Sequence, residues 1–268
     1  MILAIDEPTF QELQHTWPFP RSVHAALLKR LHDEGAAAVG LDIVFADPST
    51  EAEDAALAQA IAETGPVVLA ASTREGEEPG LLAAWQAACA SLPSDEHRPR
   101  LWIVPRHPQR FDEVATLVRE AGLNLSRRSV WSQGMPDAAA QSADVWLGDS
   151  MGEMPAYYAS AQVALLGGSF QPLGGQNLIE AAACACPIVM GPSTFNFAEA
   201  AELSLSAGAS FRVQDWASGV AQAVGLVRDP AALAQARASA QAFSQAHRGA
   251  AQRMAEAIAA TVRGRAQA

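Results

Sequence analysis

Gly167–Gly168 and Gly174–Gly175 bracket a short loop, SFQPL, and the small-residue run QNLIEAAACA follows at once. Glycine pairs remove side-chain bulk on one side of a helix start, placed here at Gln176–Asn177. The first N–H groups of a helix lack internal partners, and the helix dipole adds about half a positive charge there. Gly168, Gly174, Gly175 and Gln176 therefore form a candidate phosphate loop, with Asn177, Leu178 and Ile179 carrying the helix onset. Glu180 stands one turn in, where a carboxylate accepts hydrogen bonds from sugar hydroxyls. The same pattern also suits a tight strand-to-helix turn with a solvated glutamate. Two further segments add chemistry. RLWIVP ends in Pro105 and runs into Arg106 and His107, a permanent cation beside a titratable ring; a surface arginine and an ordinary loop histidine would look the same. LGDSMGEMPAYY carries Gly152, Glu153 and Met154, and its Ser150-x-x-Glu153 spacing matches a helix capping box, which serves structure and leaves the N-terminal amides facing outward. NFAE, Asn196 to Glu199, is a second such box, assigned to structure alone.

These segments need a frame that brings them to one edge. Strand and helix patterns alternate along the chain: ILAI, AAVGLDIVF, PVVLAAS, RLWIVP, ADVWLGD, VALLGG and PIVMG read as strands, with helical stretches between them. Such alternation implies an α/β, Rossmann-like parallel sheet with helices on both faces, and ligands then sit at the carboxyl ends of the strands. TREGEEPG reads as a polar loop before the helix LLAAWQAACASL. A compositional shift across residues 71–79 sets the expected seam: a short α/β segment over 1–71, then a sheet domain over 72–268.

Charge narrows the function. The chain of 268 residues carries a formal net charge of −11, with 3 basic and 11 acidic side chains in residues 1–72. That balance argues against sequence-general nucleic-acid binding. Lys29 is the only lysine, so every other cation is an arginine, suited to bidentate recognition of phosphate or carboxylate. No apolar run is long enough to span a bilayer, and no leader pattern opens the chain. Cys89, Cys184 and Cys186 read as reduced core thiols of a cytosolic protein. No cluster of acids or histidines has metal-ligand spacing, so neither a metal nor a cofactor is expected.

From Ala71 onward the sequence resembles the C-terminal half of the 3-deoxy-D-manno-octulosonic acid (Kdo) transferases. The matching stretches are AASTREGEE, IVPRHPQRFDEVA, LGDSMGEMPAYYASA, GGSFQPLGGQNLIEAAACACPIVMGPSTFNFAEAAE and AGASFRV, in the family's order. The resemblance implies a glycosyltransferase of two Rossmann-like lobes (GT-B), moving Kdo from CMP-Kdo to a lipid A precursor in lipopolysaccharide synthesis. It implies CMP binding by Pro105, Arg106, Gly152, Glu153, Met154, Asn177, Leu178, Ile179 and Glu180. It also implies a cytoplasmic enzyme, or one peripheral at the inner membrane of a Gram-negative bacterium. Residues 1–71 instead resemble part of a CHASE-type extracellular sensor domain, through WPFPR and GLDIVFADP, so the chain reads as a fusion. The family's usual lobe for the catalytic base and acceptor is then replaced, and the catalytic residue is unassigned. Asp6, Glu7, Asp42 and Asp47 are the acids available from this segment, and Trp17, Phe19 and Phe45 the aromatics for an acceptor groove. Two other readings stand beside the transferase: a nucleotide-binding module without turnover, and a sensor remnant acting through residues 1–70.

Overall fold

The structure is a computed structural model and describes residues 61, 65–93, 98–131 and 135–247. Asp6, Glu7, Trp17, Phe19, Asp42, Phe45 and Asp47 lie outside the described residues. The sheet is built from β1 (Val67–Thr73), β2 (Arg100–Pro105), β3 (Leu125–Arg127), β4 (Val145–Leu147), β5 (Val163–Leu166), β6 (Ile188–Met190) and β7 (Ser210–Arg212). Its seven strands lie in the order β3-β4-β2-β1-β5-β6-β7, and every neighbouring pair is parallel. Parallel strands carry apolar side chains on both faces, because helices cover both. VVLAAST of β1 is buried almost throughout. Val67, Leu69 and Ala71 enter one core and Val68 and Ala70 the other.

The first core contains residues of α3 (Ala138–Ser142), α4 (Met154–Ser160), α5 (Ile179–Ala183), α6 (Ala198–Ser206) and α8 (Pro230–His247); the second contains residues of α1 (Glu78–Ala90), α2 (Phe111–Glu120) and α7 (Trp216–Arg228). Trp102 on β2 packs against Trp131, Trp146 and Tyr157, with ring centroids 5.6, 5.2 and 4.6 Å away. This aromatic block lies beneath the carboxyl end of β4 and fixes α4 there. Cys89 and Cys184 are half-buried and Cys186 is buried.

The compact unit holding the sheet spans Ser49–Ala246, so the seam expected after residue 71 falls inside β1, the central strand. The helix after β1 starts at Glu78, inside the segment read as a loop, with Pro79 in its first turn.

Candidate functional site

All strands point the same way, so their carboxyl ends share one edge. The chain leaves β1 towards β2 on one side and reaches β5, on the other side of β1, only later. The crevice between the β1 and β5 loops is therefore the topological switch point, where open α/β sheets take ligands. Ser72 sits at this point with φ of 56°, in a register shift between Ala71 and Thr73. Its carbonyl approaches β5 so closely that a β-carbon on Gly167 would stand 2.3 Å from it. Gly167 is glycine for want of space.

Glu77, fully buried, ties the two loops together. Its carboxylate accepts from the Arg74 N–H at 2.9 Å and, across the switch point, from Gly168 at 2.8 Å and Phe170 at 3.3 Å. Burial raises its pKa; the backbone donors pull the other way and only partly offset it. Gly168, Gly174 and Gly175 all have positive φ, in keeping with their residue type. Their amides, however, bond within the protein: Gly168 to Glu77, Gly174 to Ser193 Oγ and Gly175 to the Gly168 carbonyl. The expected bare-amide donors at these three glycines are thus corrected. Their N–H groups shape the loop, while the amides of Gln176, Asn177 and Leu178 have no partner among the described residues.

The helix itself also differs from expectation. α5 begins at Ile179 and has five residues, and the Asn177 side chain accepts from the Ile179 N–H at 3.0 Å. So short a helix has little macrodipole, and the cationic part of the site comes from side chains. Arg106 follows β2; its N–H donates to the Thr73 carbonyl at 2.9 Å, and its guanidinium is exposed. Glu180 is partly buried on α5. Burial raises its pKa and Arg106 counters that rise, so the two side chains share one electrostatic environment. His107 is pushed below its ordinary value by slight desolvation and by Arg74, Arg106 and Arg110, leaving a neutral ring at neutral pH.

Glu153 takes a different part from the expected capping box. Ser150 donates to its side-chain carboxylate, Tyr157 donates to it at 3.0 Å, and Arg128 Nη2 donates at 2.5 Å. Glu153 is the N-cap of α4 but makes no capping bond with its side chain. The carboxylate is saturated by neighbours, so Gly152, Glu153 and Met154 can offer a ligand chiefly backbone and the methionine side chain. Asn196 likewise caps nothing: its side chain donates to Leu173 O at 3.0 Å, and α6 starts after a 3-10 turn over Phe195–Phe197. Pro105 and Leu178 are buried beneath the edge, and Ile179 is exposed.

Two residues that sequence reasoning passed over belong here, Arg74 and Glu77, both inside AASTREGEE. Their signal was position, directly after a central strand. A hollow of about 600 Å³ opens elsewhere, between Phe170, Pro192, Phe195 and Arg212. None of Arg106, Gly152–Met154 or Glu180 lines it, and Arg212 is paired with Glu202 at 2.7 Å. It offers an anion no unpaired cation. Among the described residues no group of three or more His, Cys, Asp or Glu is placed to hold a metal.

The CHASE2 domain model matches residues 1–253, so it takes in the sheet as well as the segment expected to resemble it. The C-terminal CMP-Kdo binding domain of WaaA from Acinetobacter baumannii superposes with a TM-score of 0.64 at 34% identity, covering 72% of this chain and 97% of that domain. The chain belongs to the CHASE2 family and, through its sheet domain, to the Kdo transferases. The Kdo transferase of Bordetella pertussis is 46% identical over 196 residues, 72% of this chain. That match covers 44% of the Bordetella protein, so the chain spans less than half the length of this curated relative. Anabaena HepE, solved with UDP and glucose, shares the fold at a TM-score of 0.54 and 15% identity, over 79% of this chain and 53% of its own. The sheet is the expected α/β, Rossmann-like fold, of the type of one GT-B lobe.

Proposed function

We propose that the sheet domain binds CMP-Kdo at the switch-point crevice and serves as the donor half of Kdo transfer to a lipid A precursor. The observation that carries this reading is that Arg106, directly after β2, and Glu180, on the helix after β5, lie at one carboxyl edge of the sheet, beside the unpartnered amides of Gln176 to Leu178. Arg106 and those amides suit the phosphate. Glu180 suits the ribose hydroxyls, and the Gly152–Met154 backbone suits the remaining polar edge of the nucleotide. The similarity to a CMP-Kdo binding domain at 34% identity supports the donor. No helix among the described residues is long and apolar enough to cross a membrane. We place the protein at the cytoplasmic side of the inner membrane, where a lipid acceptor is accessible.

Titration calorimetry with CMP and CMP-Kdo tests the site. Wild-type protein binds, and Arg106→Ala and Glu180→Ala each weaken binding by about 1–3 kcal/mol, the range for a lost charge-assisted hydrogen bond. Wild-type protein with no affinity for either ligand refutes the reading. Turnover needs a base within hydrogen-bond reach of the acceptor hydroxyl. Incubation with CMP-Kdo and a lipid A precursor yields a Kdo-bearing product if the chain is a complete enzyme; binding without product marks a donor-binding module.

A further inference from the structure

Five arginines stand along the carboxyl edge from β1 to β3, and three of them are paired with acids. Arg110 pairs with Glu78 at 2.6 Å and Glu113 at 3.0 Å. Arg127 pairs with Asp112 and Asp149, both at 2.6 Å, and Arg128 with Glu153. Arg74 and Arg106 have no hydrogen bond or ion pair from their guanidiniums among the described residues. The two follow neighbouring strands. Thr73 is the register partner of Pro105, and the Arg106 N–H bonds to the Thr73 carbonyl. Their backbones are therefore about one strand spacing apart, roughly 5 Å.

Arg74 is also placed against the glycine loop. A β-carbon on Gly168 would stand 3.6 Å from Arg74 Cγ and 3.2 Å from Gln176 Nε2, so Arg74 and Gln176 flank the same bare backbone. Arg106 is the guanidinium that acts on Glu180. The crevice thus holds two separate cations, Arg106 towards Glu180 and Arg74 at the β5 loop. CMP-Kdo has a matching pair of anions. In an activated 2-ulosonic acid one carbon carries both the carboxylate and the bridging phosphate oxygen, so the two charges lie a few bonds apart.

We propose that Arg74 grips the carboxylate of the octulosonic acid while Arg106 holds the phosphate, making Arg74 a specificity residue for acidic sugar donors. This rests on the donor-site reading above. A guanidinium offers two parallel N–H donors to a carboxylate, a geometry lysine lacks. A nucleotide sugar without a carboxylate would leave this cation unmatched, which disfavours it in the crevice.

Calorimetry on the full chain with two probes, CMP and CMP-Kdo, tests the assignment. CMP has the phosphate and lacks the carboxylate. Arg74→Gln lowers CMP-Kdo affinity by about tenfold or more, the size of one charge-assisted bond, and leaves CMP affinity within about twofold. Arg106→Gln lowers both. Arg74→Lys keeps the charge and loses the fork, so it weakens CMP-Kdo selectively but by less; it carries the test alone if Arg74→Gln fails to unfold cooperatively. Equal loss of both probes, or loss of neither, in the Arg74 variants overturns the assignment while the donor site stands. If the wild type binds neither probe, the donor-site reading fails and this inference with it.

Discussion

Glu77→Ala removes the strut between the two loops of the crevice. The carboxylate accepts three backbone N–H groups, from Arg74, Gly168 and Phe170, and Gly168 is buried. A hydrogen bond to a charged acceptor is worth about 1.5–3 kcal/mol net, and a buried amide left without a partner costs about 1–3 kcal/mol. The 3.3 Å bond from Phe170 counts least, and the partly exposed loop admits water to some of the rest. Against the loss stands the desolvation of the carboxylate, the leading cause of its raised pKa, which alanine relieves. The balance is a destabilisation of about 2–4 kcal/mol, with weaker CMP binding because the glycine loop before Gln176 loses its anchor at Gly168 and Phe170. Glu77→Gln keeps one oxygen for Arg74 and Gly168 and turns an amide N–H towards Phe170, at about 1 kcal/mol. The pH dependence has a definite sign. With the folded pKa raised, the native protein holds this proton to higher pH than the unfolded chain. The group's contribution then declines as pH rises from the ordinary glutamate value through the folded one. Glu77→Gln abolishes that decline. Urea unfolding across a pH series, with CMP titrations at neutral pH, reads all three effects. Glu77→Ala within about 0.5 kcal/mol of wild type, with unchanged CMP affinity, refutes the strut.

Gly167→Ala places a β-carbon 2.3 Å from the Ser72 carbonyl, a backbone atom that cannot rotate away. It costs at least about 1–3 kcal/mol by urea unfolding. Gly225→Ala is the opposite case: the residue lies inside α7 with nothing within 4 Å of its β-carbon, and the change stabilises by about 0.5–1 kcal/mol. Burial would raise the pKa of Asp149, but bonds from Ser129 and Arg127 outweigh it and hold the carboxyl below its ordinary value. Its contribution is present above the unfolded aspartate value and disappears as pH falls through the folded one. In Asp149→Asn that part of the acid limb of stability, followed by circular dichroism, is flattened.

The sheet was legible because its strands are short apolar runs between helices, a pattern set by local chemistry. So was the edge that gathers Arg106, Gly152–Met154 and Glu180, since parallel strands place their following loops together. What escaped was set by partners distant in sequence. Ser150 and Glu153 have capping-box spacing, yet the carboxylate of Glu153 turns to Arg128, twenty-five residues back. The glycine amides looked available because Glu77, ninety-one residues before Gly168, gives no local sign of reaching it. α5 starts at Ile179, two residues past Asn177, because Asn177 Oδ1 engages the Ile179 N–H and holds the turn outside the helix. Alanine-rich segments give no sharp boundary signal that would reveal this.

A chain with net charge −11 can still hold an anion because the acids near the crevice are turned to other arginines. Glu78 and Glu113 face Arg110, Asp112 and Asp149 face Arg127, and Glu153 faces Arg128. Arg128 and Glu153 cancel, while each of the other two clusters sets two carboxylates against one guanidinium and stays net acidic, its field screened beyond a Debye length of about 8–10 Å. What the crevice presents at contact distance is therefore Arg74 and Arg106, beside the partly buried Glu180 and the buried Glu77, whose carboxylate is turned to backbone N–H groups. A polyanion such as nucleic acid would extend past these two cations onto an acidic surface, where the net charge repels it. A donor with two charges on adjacent groups ends where the cations end. The long-range field and the local pair thus select together for a small, doubly charged ligand.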